Sequence, residues 1–281
     1  MYNSILYNSA VLNGSAPVTI SVSGDVFQFN GYGLQNANIC TSKVTYSNAP
    51  DRDFSRTETP RYKGMIKNDM QWREKTITFE GYIKADTAAE LEQLIDEIKL
   101  ELSAEDGNLD LLLSGWSDTR RWVANLTSPE KMFDKRQNYH ITVCPFRFEF
   151  LCIDPFGYDT DYTSSAQLAQ TAATVTETVT NDGTAFSELK LIFIINSVSG
   201  FTSLTIQNNE TGEQLQITDA LSAGDVLIVD SIEKTVTLNG AAVNFDGQFI
   251  TLPAGDNNIE INFSGTSIDY DVTFRHKNAF L

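Results

Sequence analysis

Between Asn138 and Tyr158 apolar and polar positions alternate strictly enough to predict a half-buried strand. Tyr139, Ile141 and Val143 share one face, with His140 and Thr142 opposite. At Cys144-Pro145 the phase slips by one, and Phe146, Phe148 and Phe150 carry the apolar face against Arg147 and Glu149. Proline has no N–H to give to a ladder, so the slip predicts a bulge or an edge position. Asp154-Pro155-Phe156-Gly157-Tyr158 then closes the strand with turn residues. Upstream of this corner the pattern mixes helix and strand periods, whereas downstream it is β only.

Further strands are expected over Val26–Leu34, Ile39–Tyr46, Trp72–Lys84, Leu109–Leu113 and Arg120–Leu126. One helix is predicted, over about residues 86–102. Thr87 is its N-cap, Glu90 completes a capping box, and Leu91, Leu94, Ile95, Ile98 and Leu102 form the apolar stripe. The stretch from about 48 to 71 carries Pro50, Pro60, Gly64 and many charges without apolar periodicity. A loop that long between two strands is usually functional or disordered, and a hairpin arm is the natural reading.

After the corner, residues 159–174 read as a polar linker. From Val175 onward short strands alternate with turn signals such as Asn181-Asp182-Gly183, Asn239-Gly240 and Pro253-Ala254-Gly255, which predicts an antiparallel sandwich. The expected organisation is an N-terminal β domain over 1–158, barrel- or sandwich-like with its one helix, then the linker and a β-sandwich over 175–281. The fold class is mainly β.

Charge narrows the possible partners. The 281 residues carry a formal net charge of −17. Four basic against sixteen acidic residues follow Pro155, so −12 of that total lies in the second half. Such a surface does not grip nucleic acid, which needs Lys and Arg to displace counterions, and it does not favour an anionic membrane. Three cysteines without repeated spacing predict no disulfide framework, and the N-terminus shows no signal-peptide pattern. No apolar run is long enough for a transmembrane helix.

Searching for reactive centres yields little. There is no G-x-S-x-G and no Walker loop, and Gly31-Tyr32-Gly33 lacks the third glycine of a dinucleotide fingerprint. His140 and Cys144, four apart, would need Cys40 or Cys152 to approach a zinc set, and a solvated or interface histidine is the better account. His276 beside Lys277 reads as a surface residue. Asp51/Asp53 and Asp225/Asp230 are candidate carboxylate pairs only in the sense that any acidic chain offers them. The turn aspartates lack the density of a calcium loop. No enzyme activity, cofactor or metal is expected. All three tryptophans, Trp72, Trp116 and Trp122, lie in the first half, which leaves the sandwich without the flat indole platforms of many sugar-binding sites.

The order of parts resembles a known family. The charged loop leads into Thr76-Ile77-Thr78-Phe79-Glu80-Gly81-Tyr82-Ile83, then come the helix, Arg121-Trp122-Val123-Ala124, and Phe148-Glu149-Phe150-Leu151-Cys152-Ile153-Asp154-Pro155-Phe156-Gly157-Tyr158. The second half adds Asn181-Asp182-Gly183-Thr184, Leu221 to Asp230, Asn239-Gly240 and Leu252-Pro253-Ala254-Gly255-Asp256-Asn257. From about Phe27 to Leu281 this is similar to the distal tail proteins of siphophage-type baseplates, with a ring-forming N-terminal domain and a galectin-like sandwich.

The resemblance implies a structural virion protein at the tail tip, assembled in the host cytoplasm. It implies a homo-hexamer whose ring joins the tail tube protein to a tail fibre, hub or receptor-binding protein, with DNA passing through the lumen. The loop combines both charge signs with apolar side chains, and Arg52, Arg56, Arg61, Tyr62, Lys63, Met65, Ile66 and Lys67 are the expected subunit contacts. The alternative function is a lectin-like carbohydrate-binding module, since a galectin-like sandwich also serves sugar binders.

Overall fold

Alternation and turn chemistry translate directly into strands along most of the chain. The computed structural model describes residues 26–46, 52–58, 65–113, 116–127, 133, 142–265 and 267–281. In chain order its elements begin with β1 (Val26–Phe29), β2 (Tyr32–Gly33), β3 (Ile39–Thr45), β4 (Arg52–Glu58), β5 (Met65–Trp72), β6 (Lys75–Lys84) and α1 (Ala88–Glu101). Then come β7 (Gly107–Leu112), β8 (Arg120–Thr127), β9 (Val143–Cys152), β10 (Gly157–Asp159), β11 (Thr163–Ser164) and β12 (Leu168–Gln170). The remainder are β13 (Thr174–Asn181), β14 (Ser187–Ser199), β15 (Ser203–Asn208), β16 (Gln214–Ile217), β17 (Val226–Asp230) and β18 (Thr235–Leu238). The chain ends with β19 (Ala241–Ala242), β20 (Phe245–Gly247), β21 (Thr251–Leu252), β22 (Gly255–Ser264), β23 (Ser267–His276) and β24 (Ala279–Phe280).

These elements gather into two units. The first takes the described residues of Met1–Tyr46, Thr76–Thr119 and Val123–Cys152, and the second those of Ser47–Lys75, Arg120–Trp122 and Ile153–Leu281. In the first unit the strand path runs β2-β1-β7-β8-β9-β6-β3. Among the described residues no sheet closes on itself, so the barrel form of the expectation is not realised. The core is aromatic: Phe27 meets Phe79 edge-on at 5.8 Å, and Phe150 meets Phe29 at 5.0 Å and Phe79 at 5.7 Å.

On β9 burial alternates without a break through Cys144, Phe146, Phe148, Phe150 and Cys152. The predicted slip at Cys144-Pro145 is therefore corrected. Pro145 takes an outward position, and no inward residue is lost to it. The earlier half of that predicted strand, with Tyr139, His140 and Ile141, lies outside the described residues. The stretch expected as one strand over Trp72–Lys84 is two, broken at Arg73-Glu74, because Trp72 ends the pairing with β4 while Lys75 begins β6.

Helix α1 starts where its residues dictate. Thr87 is extended at φ −131°, its hydroxyl accepts from the Glu90 N–H, and the Glu90 carboxylate accepts from the Thr87 N–H. Leu91, Ile95 and Ile98 are its buried face.

The second unit holds a sandwich. One sheet runs β11-β23-β14-β17-β18-β19, with β12 also on β23 and β21 on β14; the other runs β13-β22-β15-β16-β20. Phe193 and Tyr270 from the first sheet and Phe263 from the second meet between them, with Phe263 and Tyr270 at 4.6 Å. Asn239 and Gly240, at φ 52° and 82°, form the two-residue turn between β18 and β19, where two consecutive positive-φ residues are required. The stretch expected as a polar linker supplies β11 and β12, both paired to β23. His276, expected at the surface, is 4% exposed, because it shares the inward parity of β23 with Tyr270, Val272 and Phe274.

Candidate assembly surface

The charged stretch folds back on itself. Among the described residues β4 and β5 pair only with each other, with Arg52 opposite Trp72, Arg56 opposite Lys67, Thr57 opposite Ile66 and Glu58 opposite Met65. The backbone thus places Arg52, Arg56, Met65, Ile66 and Lys67 along one two-stranded ribbon. Arg61, Tyr62 and Lys63 lie outside the described residues. At about 3.4 Å per residue, the seven residues of β4 give the ribbon a reach of roughly 24 Å.

The root of this ribbon is fixed within the second unit. Trp72, the last residue of β5, packs edge-on against Phe156 with ring centroids 5.6 Å apart. Phe156 belongs to the corner after β9, where the Asp154 carboxylate accepts from the Phe156 N–H at 3.1 Å and from the Tyr158 hydroxyl at 2.8 Å. Burial, reinforced by that carboxylate, pushes the Tyr158 phenol well above its ordinary range and keeps it a donor.

Trp122 anchors the other side of the corner. It is 1% exposed, and its indole N–H donates to the Pro155 carbonyl at 3.2 Å. The ammonium of buried Lys75 sits 5.3 Å from the centre of its ring. Tyr158 and Asp159 of β10 pair with Arg121 and Arg120, and the Arg120 guanidinium lies 3.9 Å over the Phe280 ring of β24. The sequence gives the pieces of this root but not their convergence, since Trp72, Trp122, Pro155 and Phe280 are far apart in the chain. Two features hinted at it: a tryptophan after paired arginines, and a turn rich in aromatic residues.

Among the described residues no group of three or more His, Cys, Asp or Glu side chains is placed to hold a metal ion. No described helix is long and apolar enough to cross a membrane. Asp225 is spent on structure, accepting from the Ser222 N–H and from Asn239. Asp230 pairs with Lys190 at 2.8 Å. Burial alone would raise the Asp230 pKa, but the Lys190 ammonium and the N–H groups of Glu233 and Ile232 outweigh it and hold the carboxyl below its usual value.

Comparison with known families finds a likeness within the second unit. Residues 182–277 match the family described as siphovirus-type tail component, C-terminal domain. The matched span covers β14 to β23, most of the sandwich. Over most of the chain the fold is similar to that of the phage SPP1 Dit protein (gp 19.1), described as a paradigm of hub adsorption apparatus in phages infecting Gram-positive hosts. The TM-score is 0.69 at 13% identity, over 92% of this chain and 99% of that one. A chain of the phage P2 baseplate in its activated conformation with Ca gives 0.45 at 9% identity, over 88% and 92%. No curated protein matches the chain.

Proposed function

We propose that this protein is the distal hub of a phage tail, a non-enzymatic ring of six copies that joins the tail tube to the adsorption apparatus and lets DNA pass through its lumen. The observation that carries the reading is the SPP1 Dit fold running through 92% of the chain, together with the tail-component match over 182–277. A closed ring needs a heterologous interface, one surface reaching onto a different surface of the next copy. The β4–β5 ribbon suits the first of these, being a long arm rooted by Trp72 and rich in charge. Arg52, Arg56, Arg61, Tyr62, Lys63, Met65, Ile66 and Lys67 are its proposed contacts. The partners on either side of the ring are the tail tube protein and a fibre, hub or receptor-binding protein, and the site of action is the virion tail tip. The net charge of −17 suits a conduit for a polyanion, which it repels rather than binds.

Native mass spectrometry and negative-stain microscopy of the purified chain test this reading. Six-fold rings with a central opening are expected. Monomers at every concentration tried, also in the presence of the tail tube protein, would sink it.

A further inference from the structure

β13 ends its sheet on one side, and among the described residues no strand pairs with its outer edge. Its pairing with β22 fixes which backbone groups face outward. The Phe263 N–H donates to the Ala173 carbonyl at 2.7 Å, so residues 173 and 263 form a hydrogen-bonded pair. In an antiparallel ladder such pairs alternate with non-bonded ones. Val175, Glu177 and Val179 therefore spend their N–H and C=O groups on β22, whereas those of Thr174, Thr176, Thr178 and Thr180 point away from it. Two bonds agree with that phase. The carbonyl of Asn258, opposite Thr178, accepts from the Asn209 N–H on the far side of β22, and the Thr180 carbonyl accepts from the His276 ring. Among the described residues nothing pairs with the backbone of Thr174, Thr176 and Thr178 on the outer side, and their side chains are exposed.

An open edge is a template for a further strand, and soluble proteins ordinarily blunt it with short strands, lysine, proline or bulges. The opposite edge of this sheet follows that rule, β20 being 3 residues long. β13 does not. It runs for 8 residues without a register shift and contains neither Pro nor Lys. Its guard is Glu177, which shares the inward parity of Val175 and Val179 and accepts from the Gln170 amide at 3.0 Å. A strand laid on this edge meets Glu177 in a non-hydrogen-bonded pair, where facing side chains approach most closely. Like charges destabilise such a pair and opposite charges stabilise it. A second copy of β13 would bring its own Glu177 or an apolar valine to that place, on a half of the chain that already carries −12. The edge thus rejects itself and selects a cation.

We infer that the outer edge of β13 docks an extended segment of a different protein, which pairs with the backbone of Thr174, Thr176 and Thr178 and sets a Lys or Arg against Glu177. β-Branched residues beside that cation match the threonine row on the outer face of the sheet. The inference needs only the sandwich and stands apart from the ring reading.

Binding of labelled synthetic peptides to the full chain, read by fluorescence anisotropy, tests it. Two peptides of the length of β13 alternate Val and Thr, carry a Gly/Ser tail for solubility, and differ in one central residue, Lys or Glu. The Lys peptide should bind about tenfold more tightly, the span between an opposite-charge and a like-charge pair. Glu177→Lys should reverse that preference. Thr176→Pro removes an N–H that β22 does not use, and should weaken the Lys peptide about fivefold, as loss of one net hydrogen bond would. Should that variant fail to fold, N-methylation of the peptide decides with the protein unaltered. Methyl groups on one alternate set of its amides should abolish binding, and on the other set should be tolerated. The inference is overturned if neither peptide binds below about 1 mM, a free energy of only about −4 kcal/mol. It is equally overturned if the Lys and Glu peptides bind alike, if both methylated forms bind like the parent, or if the native chain forms dimers that Thr176→Pro dissolves.

Discussion

The indole N–H of Trp122 donates to the carbonyl of Pro155, 33 residues later in the chain, at 3.2 Å. Gly157, two residues beyond that carbonyl, lies against the same ring, so closely that a Cβ there would overlap the indole. The corner therefore depends on glycine for space rather than for backbone freedom. Gly157→Ala is expected to lower stability by about 1–3 kcal/mol, the usual cost of overpacking a filled site. Urea unfolding followed by tryptophan fluorescence reads it, and an unchanged midpoint would show that the indole can shift without cost.

Tyr270 presents the opposite case. It is fully buried between Phe193 and Phe263, and its hydroxyl has no hydrogen-bond partner. Burial, with the Glu177 carboxylate adding to it, pushes the phenol above its ordinary pKa, so the group remains a neutral donor without an acceptor. Tyr270→Phe keeps the ring and removes the unmet hydroxyl. Its expected effect is a gain of about 1 kcal/mol, within the range for relieving a buried unsatisfied group. A loss of stability on equilibrium unfolding would mean that the hydroxyl has a partner.

What could be read from the sequence was local. The inward parity of Phe146, Phe148 and Phe150, the Thr87–Glu90 capping box and the Asn239-Gly240 turn each follow from residues within a few positions of one another. The breaks between strands of the sandwich follow in the same way from turn residues. What could not be read was long-range. β11 and β12 carry polar residues that look like linker until β23 supplies their partner strand. His276 looks exposed beside Lys277 until the parity of β23 is known. The ribbon's existence was legible from its length and charge, but its root was not, because Trp72, Lys75, Trp122 and Phe156 converge only through the fold.

The capping box at α1 gives a prediction independent of the sandwich. Thr87→Ala removes the hydroxyl that accepts from the Glu90 N–H at 3.2 Å and leaves that donor without its cap. A loss of about 1 kcal/mol is expected, with Thr87→Ser recovering most of it. Denaturant unfolding of both variants checks the pair. Equal losses for alanine and serine would assign the effect to the threonine methyl group instead of the cap.

His276 links stability of the second unit to pH. Burial pushes its pKa below 6.5, partly opposed by hydrogen bonds to the Thr180 backbone and the Asn278 side chain and by the charges of Asp159 and Asp182. Its Nε2 is buried without a partner, so a second proton would place an unmatched donor and a charge in the interior. The sign follows from proton uptake. Above pH 6.5 the histidine is neutral in both states and its contribution to stability is complete. As pH falls from 6.5 toward the lower folded value, the unfolded chain binds the proton first and stability declines; below the folded value this decline ends. Unfolding in urea at about pH 7.5 and about pH 5 should therefore show a larger drop for the native chain than for His276→Phe, which cannot take up that proton. Asp182→Asn, by removing an opposing charge, should enlarge the drop. Equal drops in the native and His276→Phe chains would place the pH dependence in the carboxylates.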